Sequence, residues 1–301
     1  MNHKSKINII FFGSSKYSIP ILDSLLNTKN FTISAVITKP DQPFDRKKII
    51  TPNPLAKFAQ SKNLNIIKTD TFDSKFTSQF KALNPDLGLV VAYGPPFFTT
   101  KLINIPKYKI INIHPSPLPK YRGATPAPWQ IINNEKTSAV TFFKIDNLPD
   151  HGPIVCQIPF KISTKENSDS FYQKAFNLAT KNLEKTIKNY IKNFSPPLEK
   201  PNTLTPQNHS QATYFPKLTK LKAQINWSWP NPKINRFIRA MQPWPTAWAF
   251  IENRQSGKIL KMKIYSSIVK KKLLIPQSVQ IENKKTTNWS QISPYYTIVK
   301  N

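Results

Sequence analysis

Apolar positions follow two rhythms along the first half of the chain. Short β-branched runs at Ile7–Gly13, Phe31–Thr38, Leu87–Ala92, Ile110–Ile113, Ala139–Ile145 and Ile154–Ile158 read as strands. Between them, Ile19–Leu26 and Leu55–Lys62 carry helical spacing, the first with Ser18 as its expected N-cap. The alternation predicts an α/β domain on a parallel sheet, and the unbroken apolar run at Leu87 predicts a strand covered on both faces. A polar, proline-punctuated loop, Lys39–Pro54, interrupts it and holds Arg46, Lys47 and Lys48. Ser168–Asn193 reads as one long helix, because Tyr172, Phe176, Ala179, Leu183, Ile187 and Ile191 recur at three- and four-residue steps. A stripe of that kind is core. Pro196, Pro197, Pro201, Pro206 and Pro216 then punctuate a stretch that cannot be helical. Residues 195–211 are therefore the expected linker between a first domain, 1–194, and a second, 212–301. In the second, Ile234–Met241 reads as a helix, and Ala247–Ile251 and Met262–Ile268 as strands of a small barrel-like β domain. There is no internal repeat.

Composition narrows this picture. A length of 301 residues suits two domains. The single cysteine, Cys156, excludes an internal disulfide framework and a clustered thiolate metal site, and fits a reducing compartment. No run of 18 apolar residues occurs, so no membrane span is expected. The few residues before the first apolar run leave no room for a signal peptide, which predicts a cytoplasmic protein. The formal charge of +29 points to a polyanionic partner such as nucleic acid. Only five residues are arginine, however, and the excess is lysine beside abundant Asn and Ile. A coding bias would give the same composition, so charge is supporting evidence only.

Candidate chemistry centres on Asn112-Ile113-His114-Pro115. Residues two apart on a strand share a face, so Asn112 and His114 project together, and Pro115 ends the pairing. In an open α/β sheet, ligands bind beyond the carboxyl ends of the strands, where this pair would lie. Ser116-Pro117-Leu118-Pro119 is a stiff turn, and Asp146 and Asp150 flank a later loop ending in His151-Gly152. An amide, an imidazole and a carboxylate form a suitable set for acyl transfer to an amine. A histidine can take the proton of the attacking amine and return it to the leaving nitrogen. An amide N–H can stabilise the developing oxyanion, and a carboxylate stabilises and orients an imidazolium. On spacing alone, a lone histidine at a strand end is more often a hydrogen-bonded structural residue. Gly13-Ser14-Ser15-Lys16 lacks the glycines of a dinucleotide or P-loop fingerprint, so neither NAD nor ATP is expected. His3, His151 and His209 lack metal-ligand spacing, and no metal is expected.

These residues also carry a family resemblance. NIHPSPLPKYRG, Asn112–Gly123, resembles the signature of 10-formyltetrahydrofolate-dependent formyltransferases, with its Asn-x-His pair, Pro-ended turn and aromatic-Arg-Gly. LPDHG, Leu148–Gly152, resembles the loop bearing that superfamily's catalytic aspartate, and VVAYG, Val90–Gly94, the strip that receives the pterin. FFGSSKYSIPIL, TKPDQPFDRKKIITPNPL, ATYFPKLTKLKAQINW, IRAMQPWPTAW and VQIENKKTTNW resemble segments of its methionyl-tRNA branch in both domains.

The resemblance implies a Rossmann-like formyltransferase domain followed by an oligonucleotide-binding (OB)-like β-barrel. It implies formyl transfer from 10-formyltetrahydrofolate to initiator methionyl-tRNA by a monomer. Asn112, His114 and Asp150 would be catalytic. Val90, Val91, Ala92, Tyr93, Gly94, Ser116, Pro117, Leu118, Pro119 and Asp146 would line the folate site. Arg46, Lys47, Lys48, Lys217 and Lys220 would meet tRNA. The chain departs from the family pattern at Gln42, where an arginine is usual, at Phe44 and Asp45 in place of glycines, and at Pro117 in place of leucine. Only Ala249–Asn301 follows PWPTAW, which predicts a shortened barrel. Two other readings stay open: formylation of a small amine, such as an amino-sugar nucleotide or glycinamide ribonucleotide, and a non-catalytic RNA-binding protein on the same scaffold.

Overall fold

The structure, a computed structural model, describes residues 6–44, 49–194 and 204–300. Arg46, Lys47, Lys48 and most of the expected linker lie outside these. The chain forms two compact units.

The first unit draws on Met1–Arg122, Ala139–Phe160 and Gln173–Tyr214. Its seven-stranded sheet has the spatial order Ile66–Lys68, Phe31–Thr38, Ile7–Gly13, Leu87–Val91, Ile110–His114, Thr137–Lys144, Ile154–Lys161. The first five of these strands are mutually parallel, and Ile110–His114 meets Thr137–Lys144 antiparallel. Chain order reverses between Ile7–Gly13 and Leu87–Val91, and in such sheets the crevice beyond the carboxyl ends at that switch point is where ligands bind. Leu87–Val91 is buried throughout, as its apolar run predicts. It ends one residue early because Ala92 turns left-handed, φ +49°.

Below the crevice, Phe12 packs at ring-centroid distances of 5.1–6.1 Å against Phe72, Phe80, Tyr93 and Phe98, which anchors the strip after Val91 in the core. In the long helix, Phe176, Ala179, Leu183 and Ile187 are buried as the stripe predicts; Tyr190 joins them, whereas Ile191 is half-buried.

Three local readings change. Ser18 does not cap the helix Ile19–Leu26; its hydroxyl donates to the Ser15 carbonyl at 2.5 Å, and Ser15 instead caps a 3₁₀ turn at Lys16–Ser18. The polar loop contains a hairpin in which Gln42–Phe44 pairs with Ile49–Thr51. The expected strand Met262–Ile268 is two strands, Ile259–Ile264 and Ser267–Lys270, because the Tyr265 and Ser266 amides both turn toward the Ser278 carbonyl.

The second unit comprises Gly123–Ser138, Lys161–Tyr172 and Phe215–Asn301. Its five-stranded antiparallel sheet runs Thr287–Asn288, Ser278–Ile281, Ile259–Ile264, Ala247–Asn253, Tyr296–Val299, a half-barrel. The amphipathic helix Asn231–Ala240 buries Ile234, Phe237 and Ile238 and packs on the short helix Pro126–Ile132, where Arg236 Nε donates to the Ile132 carbonyl at 3.1 Å. Among the described residues no helix is long and apolar enough to cross a membrane.

Candidate active site

Strand alternation puts Asn112 and His114 on one face at the carboxyl end of Ile110–His114, with Asn112 opposite Val90 and His114 opposite Thr141. His114 is 5% exposed. Its Nε2 lies 3.0 Å from the Tyr121 carbonyl, which can only accept, so Nε2 carries the proton. In the neutral ring Nδ1 then holds the lone pair, and it faces Asp150 Oδ1 at 3.6 Å. That distance is an ion-pair approach, longer than a hydrogen bond. The structure thus brings together the histidine and the aspartate from 36 residues apart. Asn112 is half-buried, and its side-chain amide makes no hydrogen bond among the described residues.

Asp150 reaches this position from a tight loop. It adopts a left-handed conformation, φ +51°, which aspartate tolerates better than most residues. Gly152 passes so close to the strand end that an added Cβ would lie 1.8 Å from the Lys144 carbonyl oxygen. Glycine is therefore a steric requirement here. Gly152→Ala is expected to lower stability by about 1–3 kcal/mol through overpacking and to shift Asp150 away from His114; urea denaturation checks it, and an unchanged midpoint would contradict it.

The turn after His114 is fixed from several sides. Ser116 is fully buried, and its hydroxyl donates to the Lys120 carbonyl at 2.7 Å. Thr141 donates to the Ser116 carbonyl at 2.6 Å, and Gln157 donates to the Leu118 carbonyl at 3.1 Å. Leu118 is buried, while Pro117 and Pro119 are half-buried. On the neighbouring strand end, Val90, Val91 and Tyr93 are buried, and Ala92 and Gly94 are exposed. Gly94 has φ +78° and open space where a Cβ would stand. The Tyr93 hydroxyl donates to the Thr69 carbonyl at 3.1 Å, and burial pushes its pKa well above the ordinary tyrosine value. Lys39 spans the strip, its ammonium 4.3 Å from the Tyr93 ring centroid and donating to the Pro95 carbonyl. Desolvation holds the Lys39 pKa below the usual lysine range, with Asp70 opposing.

Asp146 is committed within its own loop. One oxygen accepts from the Leu148 amide at 3.0 Å, and the other pairs with His151 Nδ1 at 2.6 Å. His151 stacks on His209 at 3.9 Å with the rings within 1° of parallel. His209 Nδ1 accepts from Arg122 Nη2 at 2.9 Å. Desolvation, then the nearby His151 and Arg122, lowers the His209 pKa. Sequence reasoning missed His209 and Gln207 as parts of this site, because both fall in the proline-rich segment read as linker.

Of the expected tRNA contacts, Lys217 and Lys220 are exposed in the second unit. The Lys220 carbonyl accepts from Trp248 Nε1 at 2.7 Å, and Lys261 lies 3.6 Å above the Trp248 ring centroid.

The class defined by this fold and site is that of the formyl transferases: the family model described as Formyl transferase matches residues 5–187, and its C-terminal-domain counterpart matches residues 217–278. A methionyl-tRNA formyltransferase of Alkaliphilus oremlandii is 35% identical over 266 residues, which span 87% of this chain and 80% of that one. Another, from Thermodesulfovibrio yellowstonii, is 34% identical over 257 residues, 85% of this chain and 80% of that one. The chain belongs to the methionyl-tRNA formyltransferase family. Solved structures share the fold at lower identity. The methionyl-tRNA formyltransferase from Clostridium thermocellum has a TM-score of 0.57 at 14% identity, covering 91% of this chain and 98% of that one. The sugar 3N-formyl transferase WlaRD, solved with dTDP and 5-N-formyl-THF, has a TM-score of 0.62 at 21% identity, covering 93% and 100%.

Proposed function

We propose that the chain transfers the formyl group of 10-formyltetrahydrofolate to the amino group of initiator methionyl-tRNA at the Asn112–His114–Asp150 site, in the cytoplasm. The observation that carries the site assignment is the 3.6 Å approach of Asp150 to the lone-pair nitrogen of a histidine whose other nitrogen is tied to a backbone carbonyl. The tie removes Nε2 from proton exchange and leaves Nδ1 as the base.

Bond changes follow from that assignment. The methionyl nitrogen attacks the formyl carbon, and its surplus proton passes to His114 Nδ1. Asp150 stabilises the resulting imidazolium, while the Asn112 amide donates to the oxyanion formed from the formyl oxygen. Collapse restores the carbonyl, breaks the bond to the folate nitrogen, and returns the proton from His114 to that nitrogen. Folate would lie against the exposed backbone at Ala92 and Gly94 and against Pro117 and Pro119. Val90, Val91, Tyr93, Ser116 and Leu118, being buried, would shape that surface from behind, and Asp146 would act through its loop.

The reading is tested by transfer of labelled formyl from 10-formyltetrahydrofolate to Met-tRNA, with initiator and elongator tRNA compared. Preferential labelling of the initiator is expected. Labelling of neither would overturn the reading, and equal labelling would remove its initiator preference.

Arg46, Lys47, Lys48, Lys217 and Lys220 are proposed to hold tRNA phosphates, contacts that position without specifying sequence. Lys217→Ala with Lys220→Ala is expected to weaken tRNA binding and to flatten the log–log salt dependence by roughly 1–2. The fold should be unaffected, because the Lys220 group that Trp248 uses is its backbone carbonyl. An unchanged slope, measured by filter binding across a salt series, would count against phosphate contact.

A further inference from the structure

Arg122 is 2% exposed, yet no carboxylate pairs with it among the described residues. Its Nη1 donates to the Tyr214 hydroxyl at 2.6 Å, its Nη2 donates to Gln207 Oε1 at 2.7 Å and to His209, and its buried Nε has no partner. Burying a guanidinium against neutral groups costs stability, and a well-packed apolar side chain would serve a purely structural purpose better. The partner that receives it is equally specific. Gln207, 5% exposed, uses its Oε1 for Arg122 and turns both N–H groups of Nε2 onto the catalytic loop, 3.0 Å from the Asp150 carbonyl and 2.7 Å from the Gly152 carbonyl. Two backbone bonds deliver Gln207 there, since Thr205 and Ile154 exchange N–H···O contacts at 2.8 and 2.9 Å.

The same short segment governs the other half of the pair. Tyr121, next to Arg122, gives its carbonyl to His114 Nε2, and its own amide is held by the Thr213 hydroxyl at 2.8 Å. One backbone carbonyl thus sets the histidine ring, and the adjacent side chain sets the aspartate loop. We propose that Gln207, held by Arg122, is a positioning residue for formyl transfer: its two donors clamp the backbone on both sides of His151 and so keep the Asp150 carboxylate facing His114. The proposal rests on the role given to Asp150 above. A left-handed aspartate on a short loop needs such a hold, because small misplacement of a catalytic group can cost about 10²-fold in rate.

The test is a double-mutant cycle with Met-tRNA and 10-formyltetrahydrofolate. Gln207→Leu removes all three hydrogen bonds. Gln207→Glu keeps the contact to Arg122, now as a charge pair, but sets an acceptor-only carboxylate oxygen against the Asp150 and Gly152 carbonyls in place of the two donors. Each variant is expected to lower kcat by about 10- to 100-fold with both KM values nearly unchanged. In an Asp150→Asn background the same substitutions should cost almost nothing further, because they act through the carboxylate. Full additivity in that background, a loss carried by KM, or wild-type kcat in Gln207→Glu would each overturn the clamp. An Asp150→Asn enzyme as fast as wild type would overturn the role of the carboxylate itself, and the clamp with it.

Discussion

Replacing His114 with alanine is expected to slow formyl transfer by about 10²–10⁴-fold while leaving tRNA affinity nearly unchanged. The argument is geometric. With Nε2–H fixed on the Tyr121 carbonyl and Nδ1 turned to Asp150, the ring is held in one tautomer at the end of a buried strand. On the proposed mechanism alanine removes the proton acceptor, so the imidazolium that Asp150 would stabilise during transfer no longer forms. Because His114 is nearly buried, some stability is lost too, on the order of 1 kcal/mol for the hydrogen bond. Single-turnover transfer at saturating tRNA separates the two effects, since a folded but slow enzyme shows full binding and little product. Equal loss of binding and chemistry would make the histidine a structural residue.

How far the sequence disclosed this site depends on the range of the interaction involved. Asn112 and His114 were legible together because strand alternation is local, and the pattern of apolar runs gave the parallel sheet and hence the crevice. The place of Asp150 was not derivable from its own neighbourhood. It depends on a left-handed turn and on a glycine with no room for a Cβ against Lys144; the residues alone offered Asp146 and Asp150 together, and only the family resemblance chose between them. Gln207 and His209 were hidden because a proline-rich polar segment reads as a tether, whereas residues 205–214 hydrogen-bond along the first unit.

The arginines teach a related lesson about charge. Of the five, Arg122, Arg236 and Arg239 hydrogen-bond inside the fold, the last to the Glu166 carbonyl. Lysine therefore carries most of the surface charge, consistent with its role as a solvated point charge and that of arginine as a buried, multi-donor fork. The count of basic residues could not reveal that division.

Asn112 offers the sharpest separation of function from stability. Asparagine is a poor strand residue, and this one spends its amide on no protein partner among the described residues. Nothing in the fold requires it, so Asn112→Val should leave the thermal midpoint unchanged or raise stability by up to about 1 kcal/mol. The same change is expected to cut kcat by about 10²–10³-fold, the usual cost of removing one oxyanion donor. Asn112→Asp tests donor against shape. It is nearly isosteric, but it turns an acceptor carboxylate toward the developing oxyanion, so it should be at least as slow as the valine variant. A fast Asn112→Asp enzyme would mean that the oxyanion is stabilised elsewhere and that Asn112 is kept for its shape. A valine variant that is both slow and markedly less stable would mean that the amide supports the strand after all. Stability kept while chemistry is lost is the outcome expected of the proposed role, in which an amide without a hydrogen-bond partner among the described residues meets the formyl oxygen.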